Sequence, residues 1–228
     1  MIPAAFAYER ATAVAGALEI LARQRSHAAV LAGGHSLLPR MKLRLARPEV
    51  VVDIGPCVGE LGHVRVDGDE VVLGALVTHH ELAGSGLVAG QVPILAHAAG
   101  LVGDPQVRRR GTLGGSLAHA DPAGDLPGVI VALGATMVVR GPGGCRLVAA
   151  ADFFVGSLRT ALAPDELLVE VRVPAVAGAG WSYQRVTRRS GDWPTVAVAV
   201  VAHPACGVAL VNMGRTPRRA ASVEAALG

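Results

Sequence analysis

The amino-acid sequence predicts an α+β fold built from two subdomains, and two observations lead to this prediction. Up to about residue 55 an amphipathic helical pattern precedes short apolar strands, whereas the chain beyond Pro56 continues with a β-hairpin. Two separated segments, residues 29–37 and 108–125, each carry a Gly-Gly pair that a serine follows. Paired loops of this kind are expected to bind one ligand from two sides, because glycine lets the backbone approach a ligand closely.

The composition is that of a globular protein. Of the 228 residues, 51% are hydrophobic and 17% are charged, so the chain is not disordered. Aromatic residues make up only 3%, and valine, leucine and alanine must therefore form a core that a cofactor or partner would complete. The net charge of +3 is spread along the chain apart from residues 108–110 and 188–189. Without basic stripes interleaved with aromatics, nucleic-acid binding is not expected.

Cysteine usage and hydropathy indicate the compartment. The three cysteines have no CxxC spacing and lie far apart, at Cys57, Cys145 and Cys206. They fit neither a disulfide framework nor an iron-sulfur or zinc site, and they predict a reducing cytoplasm. The N-terminal residues lack a basic flank and a long apolar segment, so we expect no signal peptide.

The longest stretch without a formal charge, residues 193–214, is not predicted to span a membrane. Pro194, Pro204 and Gly207 interrupt it, and a spanning helix needs about 20 continuous apolar residues. We interpret this stretch as two strands joined by a turn.

The first elements follow from periodicity. Residues 9–23 place four apolar side chains at helical spacing and predict an amphipathic helix. These side chains are Ala13, Ala17, Leu18 and Leu21. A strand at 29–32 follows, and the apolar run 49–54 predicts a buried parallel strand.

A β-hairpin and a capped helix come next. Alternation over residues 63–76, with Gly68 between two aspartates, predicts two strands and a tight turn. Thr78 and Glu81 have capping-box spacing. The pair His79 and His80 is therefore assigned to the first turn of a helix, since a zinc site would need three or four convergent ligands.

The rest of the chain alternates between short helices and strands. Predicted helices lie at 92–101, 126–133, 151–154 and 219–227. Predicted strands lie at 135–140, 145–148, 166–173, 181–187, 196–201 and 207–211. A Gly-Pro-Gly-Gly turn joins the first two of these strands.

The segment 108–125, RRRGTLGGSLAHADPAGD, is predicted to be a binding loop, because it lacks an apolar run long enough for a core element. The amides of Gly114 and Gly115 can turn outward, and Thr112 and Ser116 can donate hydroxyl protons to the same anion. Several amides in one concavity form an anion nest that needs no lysine. For a lone Gly-Gly pair, the alternative is a turn between two strands.

The segment 29–37, AVLAGGHSL, repeats the arrangement: a short apolar run, a diglycine and then His35 and Ser36. Two loops of this kind could bind a diphosphate from two sides. Neither loop fits G-x-G-x-x-G or G-x-x-x-x-G-K-[ST], so a Rossmann loop and a P-loop are not predicted.

Residues 31–54 (LAGGHSLLPRMKLRLARPEVVVDI) and 103–127 (GDPQVRRRGTLGGSLAHADPAGDLP) resemble the FAD-binding medium subunit of the molybdenum hydroxylases. This is the carbon monoxide dehydrogenase, xanthine dehydrogenase and aldehyde oxidase group. The resemblance implies a vanillyl-alcohol-oxidase (PCMH) type FAD domain at 1–176, with subdomains at about 1–55 and 56–176. It further implies that residues 177–228 form an incomplete version of the family's C-terminal domain.

The resemblance also implies which residues bind FAD. Two loops wrap the pyrophosphate, and their residues and near neighbours are Leu31, Ala32, Gly33, Gly34, His35, Ser36, Leu37, Val102, Thr112, Gly114, Gly115 and Ser116. For His35, His119 and Asp121, hydrogen bonds that stabilise the loops are the expected use.

Four further positions follow from the resemblance. Asp125 accepts a hydrogen bond from the ribityl or ribose part of FAD, although it could serve only as a helix cap. Leu168 lies near the isoalloxazine ring. Arg185 stands where the family usually has lysine, an exchange that is not conservative where geometry matters. Trp193, in a Gly-Asp-aromatic pattern, covers one flavin face or is a core tryptophan.

The function implied is electron transfer within a complex. FAD collects electrons singly from a small subunit with two [2Fe-2S] clusters, after a molybdopterin-containing large subunit has hydroxylated the substrate. It then passes them to NAD, a quinone or oxygen. Two alternatives remain open at this point: a stand-alone flavin oxidoreductase of the same fold, and a non-catalytic assembly remnant.

Overall fold

A computed structural model describes residues 2–202 and 206–227. Its strands are β1 (Ala7–Arg10), β2 (Ala28–Leu31), β3 (Val50–Asp53), β4 (Val64–Asp67), β5 (Glu70–Gly74), β6 (Thr136–Gly141), β7 (Gly144–Ala149), β8 (Phe154–Gly156), β9 (Arg159–Thr160), β10 (Leu167–Pro174), β11 (Trp181–Val186), β12 (Val196–Val201), β13 (Gly207–Val211) and β14 (Arg218–Arg219). Pro204, predicted to break the uncharged stretch, lies outside the described residues.

Helices fill the intervals between the strands. They are α1 (Val14–Gln24), α2 (Leu37–Lys42), α3 (Val58–Leu61), α4 (His79–Gly84), α5 (Gly86–Gln91), α6 (Pro93–Leu101), α7 (Pro105–Arg110), α8 (Leu113–His119), α9 (Asp125–Ala132), α10 (Ala150–Phe153) and α11 (Ala221–Leu227). Over the described parts of the chain, none of these helices is both long enough and apolar enough to cross a membrane.

Three main sheets organise the chain. β1, β3 and β2 form a parallel three-stranded sheet with β3 in the centre. β4, β5, β10, β6 and β7 form an antiparallel five-stranded sheet, and β11 to β14 form an antiparallel four-stranded sheet in sequence order. The prediction that the apolar run at 49–54 is a buried parallel strand is confirmed, because β3 is paired on both edges.

Two apolar cores hold these layers together. One core lies between α1, β3 and one end of the five-stranded sheet, where Val138, Leu167 and Val169 are buried. The larger core lies on the other face of that sheet and includes α4 to α6, α8 and α9. Tyr183 and Val211 of the four-stranded sheet are buried in this larger core, so the C-terminal sheet packs on the same helices.

Several predicted elements are confirmed at nearly the predicted bounds. The hairpin β4–β5 turns through Gly68, which has the positive φ of 65° that favours glycine. The capping box is present, since the Thr78 hydroxyl accepts from the Glu81 amide and the Glu81 carboxylate accepts from the Thr78 amide. The helix at 126–133 corresponds to α9, which is buried along its whole length.

Two predictions of local structure are wrong. The predicted helix at 9–23 begins only at Val14, because Glu9 and Arg10 belong to β1, where they pair with Val52 and Asp53. Ala13 accordingly precedes the helix and is exposed.

The segment 108–125 is not one loop. It contains the end of α7, all of α8 and the first residue of α9. Gly114 and Gly115 lie in the first turn of α8, where tertiary packing overrides their low helix propensity.

Candidate functional site

A cavity of about 510 Å³ opens between the three-stranded sheet, the helices α7 to α9 and the start of β10. Most of the predicted cofactor-binding residues line it: Ala32, Gly33, Gly34, His35, Ser36, Leu37, Val102, Thr112, Gly114, Gly115, Ser116, Asp125, Leu168 and Trp193. Leu31 and Arg185 are not part of the wall. Residues from four distant parts of the chain therefore meet around one space large enough for a ligand.

The loop between β2 and α2 presents free amides to this cavity. The N–H groups of residues 33–37 donate no hydrogen bond within the parts of the chain that the structure describes. Gly34 has a φ of 79°, which turns the backbone here, and the His35 side chain is held by a 3.0 Å contact between its Nδ1 and the Gly33 carbonyl oxygen. Consecutive unpaired amides form an anion-binding nest.

The prediction that the amides of Gly114 and Gly115 turn outward to an anion is wrong. The Gly114 amide donates to the Ala75 carbonyl at 2.8 Å, and the Gly115 amide donates to Thr112 Oγ1 at 3.1 Å. Neither amide therefore turns outward to a ligand. The Ser116 hydroxyl makes no hydrogen bond among the described residues and stays free to donate into the cavity.

Gly114 is required by packing instead. A Cβ at this position would lie 2.5 Å from the Ala75 Cβ. The glycine therefore lets α8 pack directly against the end of β5. This contact fixes the position of the cavity wall to which Ser116 belongs.

The two glycine segments touch each other. A Cβ on Gly33 would lie 1.9 Å from the Arg110 carbonyl oxygen and 3.0 Å from the Gly111 Cα. The free amides of the first segment are thus held against the backbone that leads into α8. Because both contacts are made by backbone atoms, no side-chain rotation could relieve a clash.

Asp125 places a carboxylate in the cavity wall, although only 4% of the residue is exposed. The Tyr183 hydroxyl donates to Asp125 Oδ1 at 2.6 Å, and Arg185 Nη1 donates to Oδ1 and Oδ2 at 3.1 and 3.3 Å. The alternative of a helix cap only is wrong, because the carboxylate bonds these two side chains from β11. Arg185 contacts the carboxylate and not the cavity itself.

The apolar part of the wall contains Leu168 and Trp193. Leu168 is buried where β10 departs from regular pairing with β6. Trp193 is 58% exposed, so the alternative of a core tryptophan is wrong. An exposed indole beside a cavity can cover a flat aromatic ligand.

His79 is a cavity residue that sequence reasoning missed. The residue is 4% exposed, and its Nδ1 has no hydrogen-bond partner among the described residues. Burial, together with the smaller effects of the nearby His35 and Arg108, lowers its pKa from the ordinary 6.5 to about 4, so the ring is neutral at pH 7. The capping box placed His79 in the first turn of α4, but no sequence signal showed which way that turn faces.

The expectations for the other polar loop residues are mixed. His35 stabilises its loop as expected, and the Asp121 carboxylate accepts from the Ala123 amide at 3.0 Å. His119 Nε2 lies 3.9 Å from Asp121 Oδ2, which is too long for a hydrogen bond. Arg40, also missed from the sequence, adds a positive side chain to the wall. No group of three or more metal-ligating side chains occurs in the described ranges.

These groups fit FAD in chemical type. Free amides and the Ser116 hydroxyl can hold a diphosphate, the Asp125 carboxylate can accept from a polyol or ribose hydroxyl, and Leu168 and Trp193 can flank an isoalloxazine ring. The direct packing of the Gly33 backbone on residues 110 and 111 explains why this wall can be built only with glycine.

Comparison with known proteins agrees with this chemistry. Residues 4–176 match the family described as the FAD binding domain in molybdopterin dehydrogenase. The carbon monoxide dehydrogenase medium chain of Hydrogenophaga pseudoflava is 46% identical over 202 residues, which cover 88% of this chain and 70% of that protein. The caffeine dehydrogenase subunit beta of Pseudomonas sp. (strain CBB1) is 38% identical over 232 residues, which cover 98% of this chain and 78% of that protein.

Solved structures show the same fold. Carbon monoxide dehydrogenase from Hydrogenophaga pseudoflava superposes with a TM-score of 0.95 at 45% identity, over 99% of this chain and 81% of that chain. Quinoline 2-oxidoreductase from Pseudomonas putida 86 superposes with a TM-score of 0.91 at 35% identity, over 96% and 78%. The predicted α+β FAD-binding fold, the oxidoreductase class and the FAD cofactor are thereby confirmed, and the chain belongs to the family of FAD-binding domains of molybdopterin dehydrogenases.

Proposed function

We propose that this chain is the FAD-binding electron-transfer subunit of a molybdenum hydroxylase complex. Electrons would arrive from the [2Fe-2S] clusters of a small subunit, after substrate hydroxylation on a molybdopterin-containing large subunit. They would leave to NAD, a quinone or oxygen. One observation carries the proposal: unpaired amides at residues 33–37 and a buried carboxylate at Asp125 line the same cavity.

The chemistry of the wall assigns a role to each group. The amides of residues 33–37 and the Ser116 hydroxyl bind the diphosphate, because they are donors with no acceptor in the described chain. Asp125 accepts from a hydroxyl of the polyol chain or ribose. Leu168 and Trp193 hold the ring system, and the neutral His79 lines the wall without adding charge.

FAD supplies the redox chemistry when bound, since a flavin exchanges electrons singly with clusters and in pairs with an acceptor such as NAD. The protein binds and orients the cofactor and excludes water from part of it. No acid-base pair is required of the chain itself for this role.

We also propose the domain division that the sequence predicted, with a FAD-binding domain at 1–176 and a C-terminal domain from residue 177. The match at residues 4–176 supports the boundary, and the separate four-stranded sheet from Trp181 onward agrees with it. The three free cysteines support a reducing cytoplasmic location.

Titration of the purified chain with FAD and with FMN tests the cofactor assignment. We expect FAD to bind at least about tenfold more tightly than FMN, because only FAD supplies the diphosphate that the nest would hold. A double variant, Ser36→Ala with Ser116→Ala, should weaken FAD more than FMN. Ser85→Ala is the matched control, because that hydroxyl caps α5 and is not in the cavity wall. Equal affinity for both flavins would contradict the assignment.

The electron path is tested separately. The loaded chain should not be reduced by aldehydes or purines alone, but its dithionite-reduced form should be reoxidised by one acceptor class. Direct reduction by an organic substrate would support the stand-alone oxidoreductase. Failure to bind FAD, alone or with partner subunits, would support the assembly remnant.

A further inference from the structure

The buried network around Asp125 connects the cavity to the C-terminal sheet. Asp125 begins α9, whereas Tyr183 and Arg185 are alternate residues of β11 and therefore point to the same side of that strand. Tyr183 and Asp125 are each 4% exposed, and the Arg185 side chain is 12% exposed. Asp125 in the cavity wall and the two side chains behind it are thus largely withdrawn from water.

This network leaves the carboxylate with capacity for one more partner. An ionised carboxylate offers about four acceptor positions, two on each oxygen. Oδ1 accepts from Tyr183 and Arg185, whereas Oδ2 accepts only from Arg185, at 3.3 Å. The available position is therefore on Oδ2, and Asp125 is a residue of the cavity wall.

The two β11 side chains also keep the carboxylate in one orientation. A buried carboxylate needs a positive partner and hydrogen bonds to remain charged. Arg185 supplies the charge, and the Tyr183 hydroxyl fixes Oδ1 from a second direction. Without either group, the Asp125 carboxylate would be free to rotate.

We infer that Tyr183 and Arg185 are positioning residues for the cofactor: they hold Asp125 so that Oδ2 accepts a hydrogen bond from a hydroxyl of the FAD polyol chain or ribose. The inference rests on the proposed FAD site. It makes β11, outside the matched residues 4–176, a working part of that site. Arg185 thus contributes through Asp125 and not by direct contact with the ring.

The test compares two tyrosine variants of the full chain. The chain has two tyrosines, and each donates to an aspartate: Tyr183 to Asp125 in the wall, and Tyr8 to Asp53 outside it. Tyr183→Phe should weaken FAD binding about tenfold, as expected for one hydrogen bond to a charged group. Tyr8→Phe should leave the FAD dissociation constant unchanged. Flavin fluorescence quenching measures both.

Asp125→Asn shows whether Tyr183 acts through Asp125. We expect this variant also to weaken FAD binding about tenfold, and Tyr183→Phe should then add less than about twofold in its background. An equal effect of Tyr183→Phe in both backgrounds would overturn the inference. An unchanged FAD affinity in the Tyr183→Phe single variant would overturn it as well.

Two variants of Arg185, one conservative and one not, provide a second test. Arg185→Lys keeps the positive charge and should retain FAD affinity better than Arg185→Met, which keeps only the apolar stem. Equal losses in the two variants would mean that a positive charge at position 185 does not hold Asp125, and would contradict the role assigned to Arg185. Wild type that fails to bind FAD at all would contradict the proposed function, whereas normal wild-type binding with unaffected variants would contradict only this inference.

Discussion

At the scale of single residues, Gly33 shows how a backbone contact controls the site. We predict that Gly33→Ala lowers both stability and FAD affinity, because its Cβ would lie 1.9 Å from the Arg110 carbonyl oxygen. Gly16→Ala is the matched control: it lies in α1 with open space around the added Cβ and should stabilise by about 0.5–1 kcal/mol. Urea unfolding and FAD titration of both variants measure these effects. Similar behaviour of the two variants would contradict the assigned contact.

His79 carries a pH dependence. Its pKa of about 4 in the folded chain lies below the ordinary 6.5, mainly because of burial and further because of His35 and Arg108. The unfolded chain therefore binds more protons between these values, and stability is lost as the pH falls through this window. From pH 7 to pH 5 we expect a loss of about 2 kcal/mol from this residue.

The measurement is urea unfolding at both pH values in wild type and in His79→Gln, which removes the titrating group. The free energy of unfolding should differ less between pH 7 and pH 5 in His79→Gln than in wild type, by most of the predicted amount of about 2 kcal/mol. His80→Gln, on the exposed neighbour in the same helix, should leave the difference unchanged. An unaltered difference in His79→Gln would contradict the prediction.

At the scale of elements, the N-cap residue of α1 supplies no side-chain cap, and the Val14 amide donates instead to the distant Glu60 Oε1 at 2.9 Å. The N-cap residue, Ala13, has the extended conformation typical of a cap, φ −144° and ψ 154°, but no side chain that could accept from the helix amides. We predict that Ala13→Ser stabilises the chain by about 1 kcal/mol, the usual value of an N-cap hydroxyl. Thermal unfolding measures it. Ala13→Val, which adds bulk but no acceptor, should give no gain, and an equal gain in both variants would contradict the prediction.

Elements with strong local signals were predicted well from the sequence. Val196–Val201 and Gly207–Val211 have the predicted bounds, since apolar runs bounded by proline and glycine are typical of strands. The Thr78 capping box likewise carries its own local signal. The strand β1 was missed because AYER shows no alternation, and only its pairing with β3 makes it a strand.

The sequence predicted which residues line the cavity better than it predicted the hydrogen bonds that each of them makes. Glycine and serine motifs identified the two segments that meet at the cavity, but glycine alone does not show whether its amide is free, as in residues 33–37, or used inside the protein, as at Gly114. The partners of Asp125 lie 58 and 60 residues further along the chain. Such contacts are set by the packing of the C-terminal sheet, through β12 and β13, against α9, which no local pattern contains.

At the scale of the whole molecule, the C-terminal sheet shares the larger core with the central helices. A Cβ on Gly128 of α9 would lie 2.3 Å from Val211 Cγ2, and a Cβ on Gly207 would lie 2.0 Å from the Ala132 carbonyl oxygen. These close approaches leave no space between α9 and β13. The two proposed domains are therefore expected to unfold together.

The two tryptophans allow a direct test. Trp181 and Trp193 both follow residue 176, so tryptophan fluorescence reports on the C-terminal part, whereas far-ultraviolet circular dichroism reports on the whole chain. We predict coincident urea transitions by the two probes, as a single cooperative unit requires. Gly207→Val should shift both transitions to lower urea together. Separated midpoints, in wild type or in this variant, would contradict the shared core.

The long sequence separation between the cavity walls also bears on how the protein is made. The amides of residues 33–37 leave the ribosome early, but Arg185 and Trp193 are still to be synthesised. At bacterial or eukaryotic speeds of about 5–20 residues per second, the interval is on the order of ten seconds. If FAD binds as proposed, a nascent chain carries the amides of residues 33–37 before it has Arg185 and Trp193, and we expect complete cofactor loading to follow the release of Trp193 from the exit tunnel.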